Sequence, residues 1–462
     1  MFDKNTYIER RHRLQEQLDS GLILLMGNQE SPMNFPDNTY RFRQDSHFLY
    51  FFGLDSPGLA GLIDIDEQKT TIFGDELTID HVVWMGPQPT IAERARRVGV
   101  NETSPYRELE GRIREALNKG RQVHFLPPYR DDNRIRLSQW MDIPINIVKN
   151  RASETLIKAV VSLVSIKSPE EVAEMEKAVN ITRAMHLAAM RRARPGILEA
   201  ELAGIVEGIA LAANGQLSYP AILTVNGQTL HNHYHGNTLK DGQLVLGDFG
   251  AETATHYAGD ITRTFPVSKT FSTRQKEIYK IVLDTEVACI EALKPGVFYR
   301  DVHLFAARMI TEGLKALGIM KGDTEEAVQA GAHALFFPHG LGHMLGMDVH
   351  DMEGLGEDYV GYGDGMERST QFGLKSLRLA RKLMPGFVLT VEPGIYFIPE
   401  LLDMWEKERK HWEFINYEKA QQYRDFSGVR IEDNVLITEA GHQILGRPIP
   451  KTIQEVEAER QA

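Results

Sequence analysis

Residues 243–267 read QLVLGDFGAETATHYAGDITRTFPV. Two apolar, β-branched runs, 243–251 and 256–267, are joined by a short polar stretch, which predicts a strand hairpin. Each run carries an acid at an awkward place: Asp248 in LVLGDFG and Asp260 in YAGDITRTF. Two later runs repeat the pattern. Glu392 interrupts 387–397 (FVLTVEPGIYF), and Glu432 interrupts 428–438 (GVRIEDNVLIT). Burying one ionised carboxylate is costly, and burying four together is far worse unless something neutralises them. Arg263 and Arg430 are near in sequence and could pair with some of them. Two divalent cations would balance all four. The plain alternative is four unrelated edge-strand acids, and an acid on every one of the four predicted strands argues against it.

The histidines sharpen this reading. HGLGH at 339–343 places His339 and His343 four apart, but Gly340 stands where a helical zinc motif needs Glu. The glycines argue for a bend or the start of a strand. His350 follows in MDVHD. His231, His233 and His235 alternate, so a strand would put all three on one face. A histidine-rich zinc site there is the second metal hypothesis. Carboxylate oxygens with one imidazole make a hard site, suited to Mn²⁺ and also to Co²⁺ or Fe²⁺. The implied chemistry is metal-assisted hydrolysis.

The rest of the chain divides in two. The first third has short apolar runs at 21–27, 48–54, 58–65, 81–86 and 122–126, read as strands. Helix-prone stretches such as 93–97 and 109–119 alternate with them, as in a small α/β unit. Basic clusters (Arg10, Arg11, Arg13; Arg94, Arg96, Arg97) read as solvated helix faces. A boundary falls near 160–170, giving domains 1–165 and 166–462. Ser168-Pro169-Glu170-Glu171 is a capping-box helix start. Further helical stripes run through Leu202 to Ala213 and Ile278 to Leu293, the second carrying Cys289 as a buried structural thiol. Strand pairs separated by long helices predict an α+β domain with helices on one face of an antiparallel sheet.

Composition narrows the function classes. The 462 residues carry 52 Lys plus Arg against 64 Asp plus Glu, a net charge of −12, which disfavours nucleic-acid partners. With one cysteine, no intrachain disulfide and no thiolate-rich metal site can form. No stretch approaches the ~18 apolar residues of a membrane span, and no apolar stretch of signal-peptide length follows the first charges, so the expected location is the cytoplasm.

LGDFG, YAGDITRTFPV, HGLGHMLGMDVHD, TVEPGIYF and GVRIEDN resemble, in that order, the metal-ligand segments of the pita-bread metallopeptidases. The resemblance implies a small creatinase-like N-terminal domain, a C-terminal pita-bread domain and a site for two divalent metal ions, Mn²⁺ first, with Co²⁺, Fe²⁺ or Zn²⁺ as alternatives. It implies Asp248, Asp260, His343, Glu392 and Glu432 as metal ligands. Within the family, the stretch 373–403 (GLKSLRLARKLMPGFVLTVEPGIYFIPELLD) and the forty-residue separation of Glu392 and Glu432 are similar to the prolidase branch, which cleaves Xaa-Pro dipeptides. Further roles implied by the resemblance are Glu392 as proton shuttle and His231 and His350 around the scissile bond. His339 becomes an outer histidine, and Arg430 a support for the metal-bound glutamates. Arg378 is the partner of a dipeptide's C-terminal carboxylate, its alternative being a surface helix charge. Trp84 is a pocket-wall or interface tryptophan, and a homodimer is expected. The rival activity is release of the first residue from longer Xaa-Pro peptides (aminopeptidase P). The rival of another class is a non-catalytic peptide-binding protein on the same fold.

Two departures stand out. Asp248 and Asp260 are twelve apart where most relatives have eleven, which predicts an extra residue in the turn within 252–256 and a compensating bulge. The stretch from His343 to Glu392 is long, with GEDYVGYGDGMER (356–368) in its middle, and this loop is expected to affect access or specificity.

Overall fold

The computed structural model describes residues 1–363 and 365–462, so Asp364 of the 356–368 loop lies outside the described residues. The chain forms two compact units. One comprises Met1–Val164 together with Gly354–Tyr359, and the other Ser165–Glu353 with Val360–Ala462.

The N-terminal unit holds β1 (Leu22–Met26), β2 (Ala60–Asp64), β3 (Lys69–Phe73), β4 (Glu102–Ser104) and β5 (Val123–Phe125). They lie in the order β4-β3-β2-β1-β5, with β1·β5 and β3·β4 parallel and the other pairs antiparallel. Leu22, Leu24, Leu62 and Phe73 on the sheet share a buried cluster with Ile113, Leu137 and Trp140 from helices Leu109–Asn118 and Asp131–Met141.

Three expectations for this unit are overturned. The runs at 48–54 and 81–86 are helices, Ser46–Phe52 and Ile79–Met85, not strands. A short run that is apolar all round has no period to read, and capping decides it. The Asp45 carboxylate accepts from Phe48 N at 2.8 Å, and Gly53 closes the helix at φ 61°. Thr78 and His81 form a capping box on the second helix. Finally, Arg10 and Arg11 are buried rather than solvated. Arg10 lies over the Tyr50 ring and donates to Tyr50 O, and Arg11 donates to Phe51 O and Val98 O, so both serve as staples for the carbonyls at the end of the Ser46–Phe52 helix.

In the C-terminal unit every strand pair is antiparallel. Its strands are β6 (Gln216–Leu217), β7 (Ile222–Thr224), β8 (Leu244–Phe249), β9 (Ala251–Glu252), β10 (Ile261–Pro266), β11 (Val388–Val391), β12 (Gly394–Tyr396), β13 (Gly428–Arg430), β14 (Asp433–Ile437) and β15 (His442–Ile444). The long helices are Pro169–Arg192, Glu199–Ala212, Thr273–Glu291 and Tyr299–Ala316. Ser168 and Glu171 form the predicted capping box, and Cys289 is fully buried, its thiol pushed up by burial. No helix among the described residues is long and apolar enough to cross a membrane.

The hairpin at the centre runs without the predicted bulge. Phe249 faces Ile261, Glu252 faces Ala258, and Thr253 N donates to Tyr257 O, so no residue falls out of step. The extra residue is absorbed entirely in the turn, where His256 takes φ 66°. Asp248 is paired with Thr262, and Asp260 lies two residues away from Thr262. Paired residues share a face and so do residues two apart, so the twelve-residue spacing already puts both carboxylates on one side.

The other two acids sit at breaks, not inside strands as predicted, and Asp260 too lies outside its predicted strand, one residue ahead of β10. The run 387–397 splits into β11, which pairs with β14, and β12, which pairs with β13. The break falls at Glu392-Pro393, because Pro393 has no N–H for a ladder. The facing break falls at Ile431-Glu432, where Glu432 N donates instead to Thr262 O on β10 at 3.0 Å. The breaks free both glutamates from the regular alternation of a strand.

Candidate metal centre

A cavity of about 690 Å³ opens among these elements. Its wall includes Asp248, Asp260, His343, Glu392 and Glu432, together with His231, His339, His350, Arg378 and Arg430. Ten of the eleven residues to which the family resemblance gives a role therefore meet at one cavity. The eleventh, Trp84, is 87% exposed on the helix Ile79–Met85 of the N-terminal unit and is not in that wall.

The acceptors converge. His343 Nε2 lies 3.3 Å from Asp260 Oδ2 and 3.6 Å from Glu392 Oε1. Ligand atoms of Asp260, His343 and Glu432 all fall within 4.8 Å of one another. His343 Nδ1 lies 3.0 Å from Met344 O and Nε2 points at the carboxylates; burial opposes charge on the ring, but Asp260 and Glu392 raise the imidazole above its ordinary value. Gly342 permits this geometry, since a Cβ there would come within 2.1 Å of Thr390 O on β11.

The surrounding groups aim these side chains. Thr262 Oγ1 donates to Glu432 Oε2 at 2.6 Å, while the buried Glu432 Oε1 has no hydrogen-bond partner. Asn434 holds the Asp260 backbone through both its amide and its carbonyl. Arg430 is buried, pairs with Asp248, and also donates to Tyr396 Oη at 2.7 Å and Thr262 Oγ1 at 3.1 Å. Tyr219 donates its hydroxyl to Asp248 at 2.5 Å and also contacts Asp260. Nothing in the sequence around Tyr219 distinguishes it from a core tyrosine, and sequence reasoning missed it.

His339 is fully engaged, with Nδ1 2.8 Å from Gly340 O and Nε2 2.9 Å from Tyr396 Oη. The His343 and His350 rings lie 4.1 Å apart, tilted at 55°. His350 Nδ1 is 2.5 Å from Glu353 Oε2, and the other Glu353 oxygen pairs with Arg378. Glu353 too escaped the sequence reading. The 231–235 segment is not a strand, so the alternation of its histidines carries no common face. His231 and His233 reach the cavity wall, His235 Nε2 turns to Ala221 O, and the trio is absent from the ligand cluster among the described residues.

The donor set fits divalent cations. Asp260 Oδ2 and Glu392 Oε1 lie beside His343 Nε2, a Glu432 oxygen falls in the same cluster, the buried Glu432 Oε1 has no hydrogen-bond partner, and hard oxygen donors with one imidazole suit a hard or borderline metal. Burial pushes the Glu392 carboxyl up to about 7, reinforced by Asp260 and Asp248 and opposed by His343 and Arg430. Burial also holds Glu432 well above, and Asp248 above, the usual carboxylate range. A carboxyl raised in the fold contributes stability below its unfolded value of 4.5 that is lost as pH rises through about 7. In metal-free protein the Glu392 contribution is therefore lost between those values. A divalent cation held by Glu392 would displace that proton, so its affinity would rise between pH 6 and 8 with net proton release. Calorimetric titration in two buffers of different ionisation enthalpy measures this, and binding without proton release would count against Glu392 as a ligand.

Comparison with known proteins places the chain in a family. The pattern of Metallopeptidase family M24 matches residues 173–439, and that of the aminopeptidase P N-terminal domain matches residues 7–124. The chain is 34% identical to the Xaa-Pro dipeptidase of Homo sapiens, over 97% of this chain and 92% of that protein. It is 33% identical to a probable Xaa-Pro aminopeptidase of Sordaria macrospora, over 95% and 91%. Among solved structures, Zn-substituted E. coli aminopeptidase P in complex with product superposes with TM-score 0.81 at 30% identity, covering 100% of this chain and 98% of that one. Proline aminopeptidase P II from Yersinia pestis gives TM-score 0.83 at 29% identity, with full coverage of both. With the acceptor cluster, the antiparallel fold and these matches together, the chain belongs to Metallopeptidase family M24 and carries an aminopeptidase P-type N-terminal domain.

Proposed function

We propose that this protein is a metal-dependent prolidase that hydrolyses the Xaa-Pro bond of dipeptides. The observation that carries the reading is a buried carboxylate–imidazole cluster with Arg378 on the wall of the same cavity. The names of the dipeptidase relatives support the bond specificity. In this reading 1–165 is the N-terminal domain and 166–462 the catalytic one. Asp248, Asp260, His343, Glu392 and Glu432 hold two divalent cations, Mn²⁺ first, with Co²⁺, Fe²⁺ or Zn²⁺ as alternatives. Bound there, such ions supply Lewis acidity and make water nucleophilic at neutral pH.

The protein's own groups do the rest. Glu392, on the cavity wall 3.6 Å from His343 Nε2, accepts a proton and passes it to the leaving proline nitrogen. His231 and His350 position the carbonyl that is attacked. Arg430, through Asp248 and Thr262, and His339, through Tyr396, hold the cluster's shape. Arg378 binds the free C-terminal carboxylate through its planar fork. A homodimer, with Trp84 at a pocket wall or subunit interface, and a cytoplasmic location complete the proposal.

Cleavage of Gly-Pro and Gly-Pro-Ala is to be compared in Mn²⁺ buffer with an EDTA control. The expected result is EDTA-sensitive cleavage of Gly-Pro in preference to the tripeptide, with Arg378→Ala raising KM for Gly-Pro roughly tenfold or more. Preference for the tripeptide would support the second reading, an Xaa-Pro aminopeptidase. The pairing of Arg378 with Glu353 favours that second reading, as do the names of the solved structures. Metal-loaded protein that cuts neither peptide would remove the proline specificity.

A further inference from the structure

Glu353 joins two cavity residues that the proposed reaction uses separately. One carboxylate oxygen is 2.5 Å from His350 Nδ1 and the other pairs with Arg378 Nη1. These contacts hold the Glu353 carboxyl down to about 2. The Arg378 main chain is fixed as well. Ala380 N and Arg381 N both donate to Gly361 O at 2.8 Å, and Tyr362 Oη donates to Leu377 O at 2.7 Å. Gly361 allows the approach, since a Cβ there would come within 1.8 Å of Arg378 O. The guanidinium is thus tethered at its stem and matched at its tip by a carboxylate of this chain.

We propose that Glu353 is a specificity-determining residue: an internal carboxylate at Arg378 that a dipeptide's C-terminal carboxylate must displace or sit beside. This rests on the reading of Arg378 as the carboxylate partner. A second carboxylate arriving at the same guanidinium meets a like charge, which weakens its binding. A substrate without a free carboxylate at that position meets no such penalty. Glu353 therefore narrows the preference for dipeptides that Arg378 alone would create. Displacing Glu353 also frees His350 Nδ1, so carboxylate binding and the orientation of His350 are coupled.

KM for Gly-Pro and for Gly-Pro-amide is to be measured in Mn²⁺-loaded wild type, Glu353→Gln, Glu353→Asp and Arg378→Ala. Removing the charge while keeping the shape is expected to lower KM for Gly-Pro roughly tenfold in Glu353→Gln. KM for the amide should change less than about twofold, and Glu353→Asp should keep the wild-type ratio of the two. A merely structural role would move both substrates together. If Glu353→Gln fails to fold, Glu353→Asn carries the same expected sign. An unchanged acid-to-amide ratio in Glu353→Gln, with Arg378→Ala raising KM for the acid, overturns this proposal alone. A rise in KM for the acid in Glu353→Gln also overturns it, because Glu353 would then be organising Arg378 for substrate. If Arg378→Ala leaves the acid unaffected, the carboxylate role of Arg378 fails and this proposal fails with it.

Discussion

Asp260→Asn is expected to lower metal-dependent hydrolysis of Gly-Pro by at least about a hundredfold, with the far-UV circular dichroism unchanged. Removing even an outer hydrogen-bond partner of a metal ligand costs ~10–100-fold, and a ligand charge should cost no less. The substitution preserves the shape of the side chain, removes its charge and replaces one acceptor oxygen with an NH₂ donor. The Asp260 main chain stays in place, because Asn434 grips both its N–H and its carbonyl. What changes is the oxygen 3.3 Å from His343 Nε2 and the acceptor of the Tyr219 hydroxyl. Kcat/KM for Gly-Pro and metal content by atomic absorption are the measurements. A folded variant with full activity would show that Asp260 does not hold metal, and the hydrolytic mechanism would have to be rebuilt.

Lys167→Met is expected to destabilise the C-terminal unit by about 3–5 kcal/mol, the cost of leaving one partner of a buried ion pair alone. Lys167 Nζ is 2.7 Å from Asp351 Oδ2, with side-chain exposures of 1% and 2%. Asp351 adjoins His350, and its N–H donates to Met344 O at 3.0 Å. Lys167 N donates to Gly386 O, just ahead of β11. The pair therefore ties the loop between His343 and His350 to the start of the unit. A urea titration of the C-terminal unit, followed by tryptophan fluorescence, measures the loss. The double variant Lys167→Met/Asp351→Leu should recover most of it, because neither charge is then stranded. Equal loss in single and double variants would mean that packing, not charge, is what Lys167 supplies.

Much of the site could be read from the chain because its cost is local. Asp248, Asp260, Glu392 and Glu432 each break an apolar run, and the cost of burying them shows in the residues on either side. The capping box at Ser168 and the buried stripe through Cys289 were legible for the same reason. What failed was the conformation of runs whose chemistry is uniform. FLYFF has no polar face to set a period, so Asp45 and Gly53, not the run itself, made it a helix. Arg10 and Arg11 looked solvated because nothing in their own stretch announces the carbonyls of Tyr50, Phe51 and Val98 that they satisfy.

The predicted bulge failed for a related reason. An even spacing of twelve already keeps both aspartates on one face, so the turn could take the extra residue without help. The roles of Tyr219 and Glu353 had no sequence signature, because Tyr219 acts through Asp248 and Asp260, 29 and 41 residues away, and Glu353 couples His350 to Arg378, 25 residues away. The sequence by itself determined which charges must be neutralised and therefore that a cation is called for. Only the tertiary structure decided how their ligand atoms converge, that Pro393 and the Ile431-Glu432 break release the glutamates, and that Arg378 is already matched by a carboxylate. Burial cost is a property of a residue and its neighbours in the chain, whereas convergence is a property of elements that meet only when the sheets assemble.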